Sequence, residues 1–188
     1  MENQPLLVIP ERYQLEENSR ELVISYKWLR PVHVFLLFFS LMWNGMLVFF
    51  YSLMISTSET PAFAYLFPLL HVTIGIILLY YAICGFFNKT TIKTDRTAIS
   101  VVHAPLPWFG NKTIDRFDIK QLFVTEVKTR QKGGSYNYSY KVEVAKRDNT
   151  SIKMVEGIET PQQAQFVEKK IERFLGIENV AIQGEFKE

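Results

Sequence analysis

Residues Val32–Ile55 read VHVFLLFFSLMWNGMLVFFYSLMI, and Leu66–Phe87 read LFPLLHVTIGIILLYYAICGFF. No Lys or Arg falls between His33 and Asn88, and Glu59 is the only formal charge in that interval. As α-helices, segments of this length extend roughly 33–36 Å, enough to cross a hydrocarbon core of about 30 Å. Neither carries the polar stripe that a helix of a small soluble domain turns towards water. Five Glu lie ahead of the first segment, and its apolar run exceeds the roughly 7–15 residues of a secretory signal core, so cleavage is not expected.

Orientation follows from the flanking cations. Lys27 and Arg30 precede the first segment, Lys89, Lys93 and Arg96 follow the second, and the connecting STSETPAFAY has neither residue type. The positive-inside rule therefore predicts a two-pass membrane protein with both termini cytoplasmic. Trp28, Tyr51, Tyr65, Tyr80 and Tyr81 stand where an interfacial aromatic belt is expected, and His33 falls at the cytoplasmic boundary.

Within the spans, Asn44 (in Trp43-Asn44-Gly45) and His71 are the polar residues that need partners. One reading makes them an ion or proton path. The other makes them helix–helix contacts, with Gly45, Gly75 and Gly85 allowing close backbone approach. No further acid or base accompanies them inside the spans, which favours packing contacts.

The remaining composition excludes more than it names. The 188 residues carry a formal net charge of +2, so overall charge does not point to nucleic acid. The single cysteine, Cys84, lies in the apolar block, leaving no disulfide framework and no Cys-based zinc site. Charge is unevenly spread: Lys89–Lys153 holds 13 Lys plus Arg against 6 Asp plus Glu, whereas Met154–Glu188 holds 4 against 7.

After Phe87 the pattern changes to short segments of period two. Strands are predicted over Asn88–Thr94, Ala98–Ala104, Asn111–Arg116, Ile119–Arg130, Tyr138–Lys146 and Ser151–Val155. Asp95-Arg96, Gly110-Asn111, Gly133-Gly134 and Asp148-Asn149 mark turns between them. In the fifth strand, Tyr138, Tyr140, Val142 and Val144 share one face, and Ser139, Lys141 and Glu143 share the other. A helix is expected at about 161–175, with Thr160 as N-cap, Pro161 at the first helical position, Gln163 completing a capping-box pattern and Gly176 as the stop. Its apolar stripe is Val167, Ile171, Phe174 and Leu175, and residues 177–188 read as a loose tail. The N-terminal arm, residues 1–30, holds a strand at about 21–28 with Leu22, Ile24, Tyr26 and Trp28 on one side. Joining the later strands would pair its backbone; the alternative is an amphipathic arm on the membrane.

These segments suggest α+β organisation: a two-helix hairpin over about 31–87, then a cytoplasmic antiparallel sheet or partial barrel over about 88–176, capped by one helix. The order resembles the bacterial pleckstrin-homology-like (PH-like) membrane proteins, in which a two-helix anchor precedes a small bent-sheet barrel closed by a helix. The likeness is carried by NKTTIKTDRTAISVV at Asn88–Val102, FDIKQLFVTEVK at Phe117–Lys128 and the capped helix Thr160–Gly176. It implies a bacterial plasma membrane and a scaffold, assembly or interaction role, and it supplies no catalytic motif.

No Gly-rich phosphate loop, HExxH or GxSxG pattern is present, and His103 is the only histidine outside the spans and their boundary. Neither enzymatic activity nor a cofactor or metal is expected. Three functions remain open. The first is an adaptor or accessory subunit that docks a membrane or cytoplasmic protein, or a second copy of the chain, through aromatic strand residues such as Tyr136, Tyr138 and Tyr140. The second is a small transporter or channel subunit. The third is an anionic-lipid sensor using Lys27, Arg30, Lys89, Lys93, Arg96, Lys128, Arg130 and Lys132. The adaptor is the favoured expectation.

Overall fold

The chain separates into two compact units. One comprises Lys27–Lys89, and the other joins the residues up to Tyr26 with those from Thr90 onward. The computed structural model describes residues 8–57, 61–66, 68–178, 180 and 185–186.

The helical unit contains α1 (Pro31–Ser56) and α2 (Leu69–Phe87), both long and apolar enough to span a membrane. Pro31 occupies the first helical position of α1, where its missing N–H costs no bond. Pro68 disfavours the helical conformation in the residue before it. Accordingly α2 begins behind it at Leu69 rather than at Leu66, and Ala62–Tyr65 forms a short 3-10 turn.

The second unit contains β1 (Tyr13–Glu17), β2 (Glu21–Lys27), β3 (Lys89–Asp95), β4 (Ala98–Ala104), β5 (Lys112–Asp115), β6 (Ile119–Arg130), β7 (Tyr136–Lys146), β8 (Ser151–Ile158) and α3 (Pro161–Leu175). These strands form two sheets, ordered β1-β2-β3-β4-β5 and β6-β7-β8. The strand of the N-terminal arm lies between β1 and β3. Strand β1 was not expected. It is short and ends in two Glu, so its alternation is brief, yet it pairs with β2 from Tyr13↔Tyr26 to Glu17↔Leu22. Asn18 Oδ1 closes the connecting turn by accepting from the Arg20 and Glu21 amides.

The core gathers Leu22, Ile24, Ile92, Ile99 and Val101 from the larger sheet with Leu122, Val142, Val144 and Met154 from the smaller. Helix α3 adds Ala164, Phe166, Val167 and Ile171. Thr160 Oγ1 accepts from the Gln163 amide at 3.3 Å, and Gly176 ends the helix in the left-handed region at φ 63°. The buried face of α3 differs from the expected stripe: Phe174 and Leu175 are only partly covered, while Glu168 and Glu172 are buried. Glu172 has a specific task. Its Oε1 accepts from the Leu122 amide at 3.1 Å, beside the register shift between Ile119 and Gln121 in β6. A buried amide left without a partner costs about 1–3 kcal/mol, so an acid can replace an aliphatic residue here.

The tail also departs from expectation. Gln121 Nε2 donates to the Val180 carbonyl at 2.6 Å. The Phe186 amide donates to the Val124 carbonyl at 2.8 Å, and its ring meets Tyr140 edge-on with centroids 5.2 Å apart. Strand β6 is an edge of its sheet, and the Phe186 bond occupies a carbonyl that an open edge leaves unpaired.

Candidate functional site

In the helical unit the polar residues Asn44 and His71 meet the neighbouring helix. Asn44 Nδ2 donates to the Ser40 carbonyl of its own helix at 2.6 Å and to the Gly75 carbonyl of α2 at 3.1 Å. Trp43 Nε1 donates to the His71 carbonyl at 3.3 Å, and the Trp43 and His71 rings stack with centroids 5.9 Å apart. Near the connection, Tyr51 donates to the Tyr65 carbonyl at 3.1 Å and Tyr65 to the Met54 carbonyl at 3.2 Å. His33, expected at the cytoplasmic boundary, is buried against Gly85 and lies 5.3 Å from the Tyr81 ring. Its Nδ1 accepts from the Arg30 amide at 3.1 Å, so it closes the first turn of α1.

The three glycines expected to admit close approach do not act alike. At Gly75 an added Cβ would lie 2.7 Å from Asn44 Oδ1, and at Gly85 it would lie 2.1 Å from the His33 ring. At Gly45 nothing lies within 4 Å. Gly45 is therefore not a contact position, because its Cβ direction points away from α2 while that of Asn44 points towards it.

The most prominent feature of the sheet unit is an arm. Pairing between β7 and β8 runs no further than Tyr140↔Ile158, whereas pairing between β6 and β7 continues to Arg130↔Tyr136. The hairpin closes through Gly133 and Gly134, both at positive φ. Lys128 Nζ stands over the rings of Tyr136 and Tyr138, 4.1 and 5.5 Å from their centroids. Arg130 and Lys132 are exposed on the same arm. Tyr140 is excluded from this surface: it is 8% exposed and belongs to the core. Tyr140 has the strand parity of Tyr136 and Tyr138, but it sits where α3, β8 and Phe186 close over the sheet.

The other cations do not form one patch. Lys93 Nζ pairs with Glu21 at 2.6 Å, which raises its pKa mainly through that hydrogen bond. Arg96 lies in the turn after β3, at the opposite end of the strand from Lys89. A seven-residue strand spans about 20 Å, so Arg96 is no neighbour of Lys89. It sits instead beside Ser19, Arg20, Asp95 and Thr97. Lys27 and Lys89 bound the helical unit, and Arg30 is the N-cap of α1.

His103, in β4, has specific surroundings. Its Nδ1 is 3.0 Å from Thr90 Oγ1, and its backbone amide donates to Asn111 Oδ1 at 2.7 Å. Burial, and then the charge of Lys112, hold the imidazole below the usual 6.5. The folded chain thus resists a proton that the unfolded chain accepts, so this stabilisation is complete above pH 6.5 and is lost as pH falls through the folded value. Urea unfolding of the wild type should weaken between about pH 7.5 and about pH 5.5 by more than that of His103→Gln. Equal losses in the two proteins would remove His103 as the cause.

Compared with protein-family models and with curated proteins, the chain matches none. The surfaces described above therefore carry the functional argument.

Proposed function

We propose that this protein is a non-catalytic membrane adaptor or accessory subunit, with a helical hairpin as its anchor and a cytoplasmic PH-like domain that docks a protein partner near the inner leaflet. Support for the anchor comes from the outward side chains of the hairpin. Phe35, Phe38, Val48 and Phe49 of α1 and Ile76 and Ile77 of α2 are all exposed, a surface that lipid covers and water does not favour. The five-to-zero distribution of flanking Lys and Arg supports cytoplasmic termini. Two antiparallel sheets followed by one capped helix support the PH-like assignment.

The observation that carries the docking role is the β6–β7 arm. Beyond its last β8 pair it presents Tyr136 and Tyr138 around Lys128, with Arg130 and Lys132 nearby and Glu126 as the acidic member. Aromatic rings with an exposed cationic surplus suit a protein segment that offers carboxylates and apolar side chains. The same arm is a weaker lipid reader, since Lys93 is paired and Arg96 lies apart.

Purification of the intact protein from its own membrane in mild detergent should retain a stoichiometric partner. The triple variant Lys128→Glu, Tyr136→Ala, Tyr138→Ala should lose that partner at least tenfold while remaining in the membrane, as expected for hot-spot residues. Recovery of the wild type alone, or equal retention by the variant, overturns the proposal.

A further inference from the structure

We propose that the β4–β5 loop, Pro105–Gly110, seats Trp108 and Phe109 in the headgroup–acyl boundary of the bilayer that holds the helical hairpin. This inference rests on the membrane reading of that hairpin.

The loop reads Pro-Leu-Pro-Trp-Phe-Gly and carries no charge. Phe109 is 90% exposed, and Trp108 lies beside it with ring centroids 6.4 Å apart. Val102, at the stem, is also exposed. Phe109 faces outward rather than into a core, and the residue beside it is Trp, a side chain enriched at membrane interfaces.

The sheet determines which end this tip occupies. The Thr90–His103 hydrogen bond sets the start of β3 beside the end of β4. An added Cβ at Gly110 would come within 3.2 Å of His103 Nε2, so the far stem of the loop closes on the same ring. Asn111 Oδ1, accepting from the His103 amide, fixes that stem a second time. The loop therefore projects from the end of the sheet at which β3 begins. Thr90 is only three residues beyond Phe87, the last residue of α2, and so few residues reach at most about 11 Å. Lys89 lies in that connection, placing a cation where anionic headgroups would stand.

The other end of the sheet differs in chemistry. Its two turns present Asn18, Ser19, Arg20, Asp95, Arg96 and Thr97, and Phe117 is the large apolar exception there. A polar end and an aromatic end on one sheet match a domain tethered to a bilayer by its aromatic end.

Site-directed spin labelling in lipid nanodiscs of phosphatidylethanolamine and phosphatidylglycerol tests this. In a full-length Cys84→Ala background, nitroxides are placed separately through Phe109→Cys, Arg96→Cys and Phe49→Cys, and their accessibility to oxygen and to a nickel chelate is measured. The label at 109 should favour oxygen over nickel several-fold more than the label at 96, with a depth short of that at 49. A water-exposed label at 109 with a lipid-exposed label at 49 overturns the loop proposal and leaves the hairpin reading standing. A water-exposed label at 49 overturns both. A label at 109 shielded from both reagents means that protein covers the loop, and this also overturns the proposal.

Discussion

Gly85→Ala is expected to open the helical hairpin, and Gly45→Ala is expected to leave it intact. At position 85 the new Cβ would fall 2.1 Å from one ring carbon of His33 and 2.8 Å from the His33 Cβ. The obstruction is the root of a side chain, which cannot swing away as a flexible tip could. His33 is also held by its bond to the Arg30 amide and its contact with Tyr81. Relief therefore requires the helices to separate, at a cost at or above the about 1–3 kcal/mol typical of overpacking. At position 45 the added methyl meets nothing within 4 Å, and Ala stabilises a helix by about 0.5–1 kcal/mol over Gly. The chain contains its own reporter, since Cys84 is its only cysteine, is buried and adjoins Gly85. Thiol labelling in detergent should accelerate several-fold for Gly85→Ala and stay at the wild-type rate for Gly45→Ala. The reverse order would show that the helices do not pack through Gly85.

Phe166→Ala should produce the largest loss in the sheet unit, about 3–5 kcal/mol. Phe166 is 2% exposed and meets the Tyr13 ring edge-on at 6.1 Å, while Tyr13 stacks on Tyr26 at 4.8 Å. One ring thus joins α3 to β1 and, through it, to β2. Truncation removes most of its buried surface and leaves a cavity that several elements must close. Since a domain of this size has about 5–15 kcal/mol of stability in all, urea unfolding of the full chain in detergent should shift to markedly lower concentration. Protection of the β1 amides against hydrogen exchange should fall first. A shift equal to that of a surface substitution would show that Phe166 does not secure β1.

Much of the architecture was legible because local rules agreed with the fold. The strand boundaries at Ala98–Ala104 and Ile119–Arg130 and the helix at Pro161–Leu175 coincide with alternation, turn residues and caps. The misses share a cause, namely partners distant in sequence. Strand β1 has five residues and weak alternation, and it is secured by Tyr26 and Phe166. The tail has no periodic pattern, yet Phe186 bonds to an edge of β6. At the docking surface, spacing placed Tyr140 with Tyr136 and Tyr138, whereas pairing with β8 and the packing of Phe186 draw it into the core.

The hairpin divides in the same way. Apolar length and the absence of charge are properties of composition, so two helices long and apolar enough to span a membrane follow from Val32–Phe87 by sequence alone. Which glycine meets a neighbour depends on the rotation of each helix about its axis. Asn44, His33, Gly75 and Gly85 are brought inward and Gly45 is left outside by three-dimensional packing. The same holds for the loop after β4: its aromatic residues are visible in the sequence, but only the Thr90–His103 pairing decides at which end of the sheet they stand. Strand register assigns that end, and register is a relation between segments rather than a property of either one.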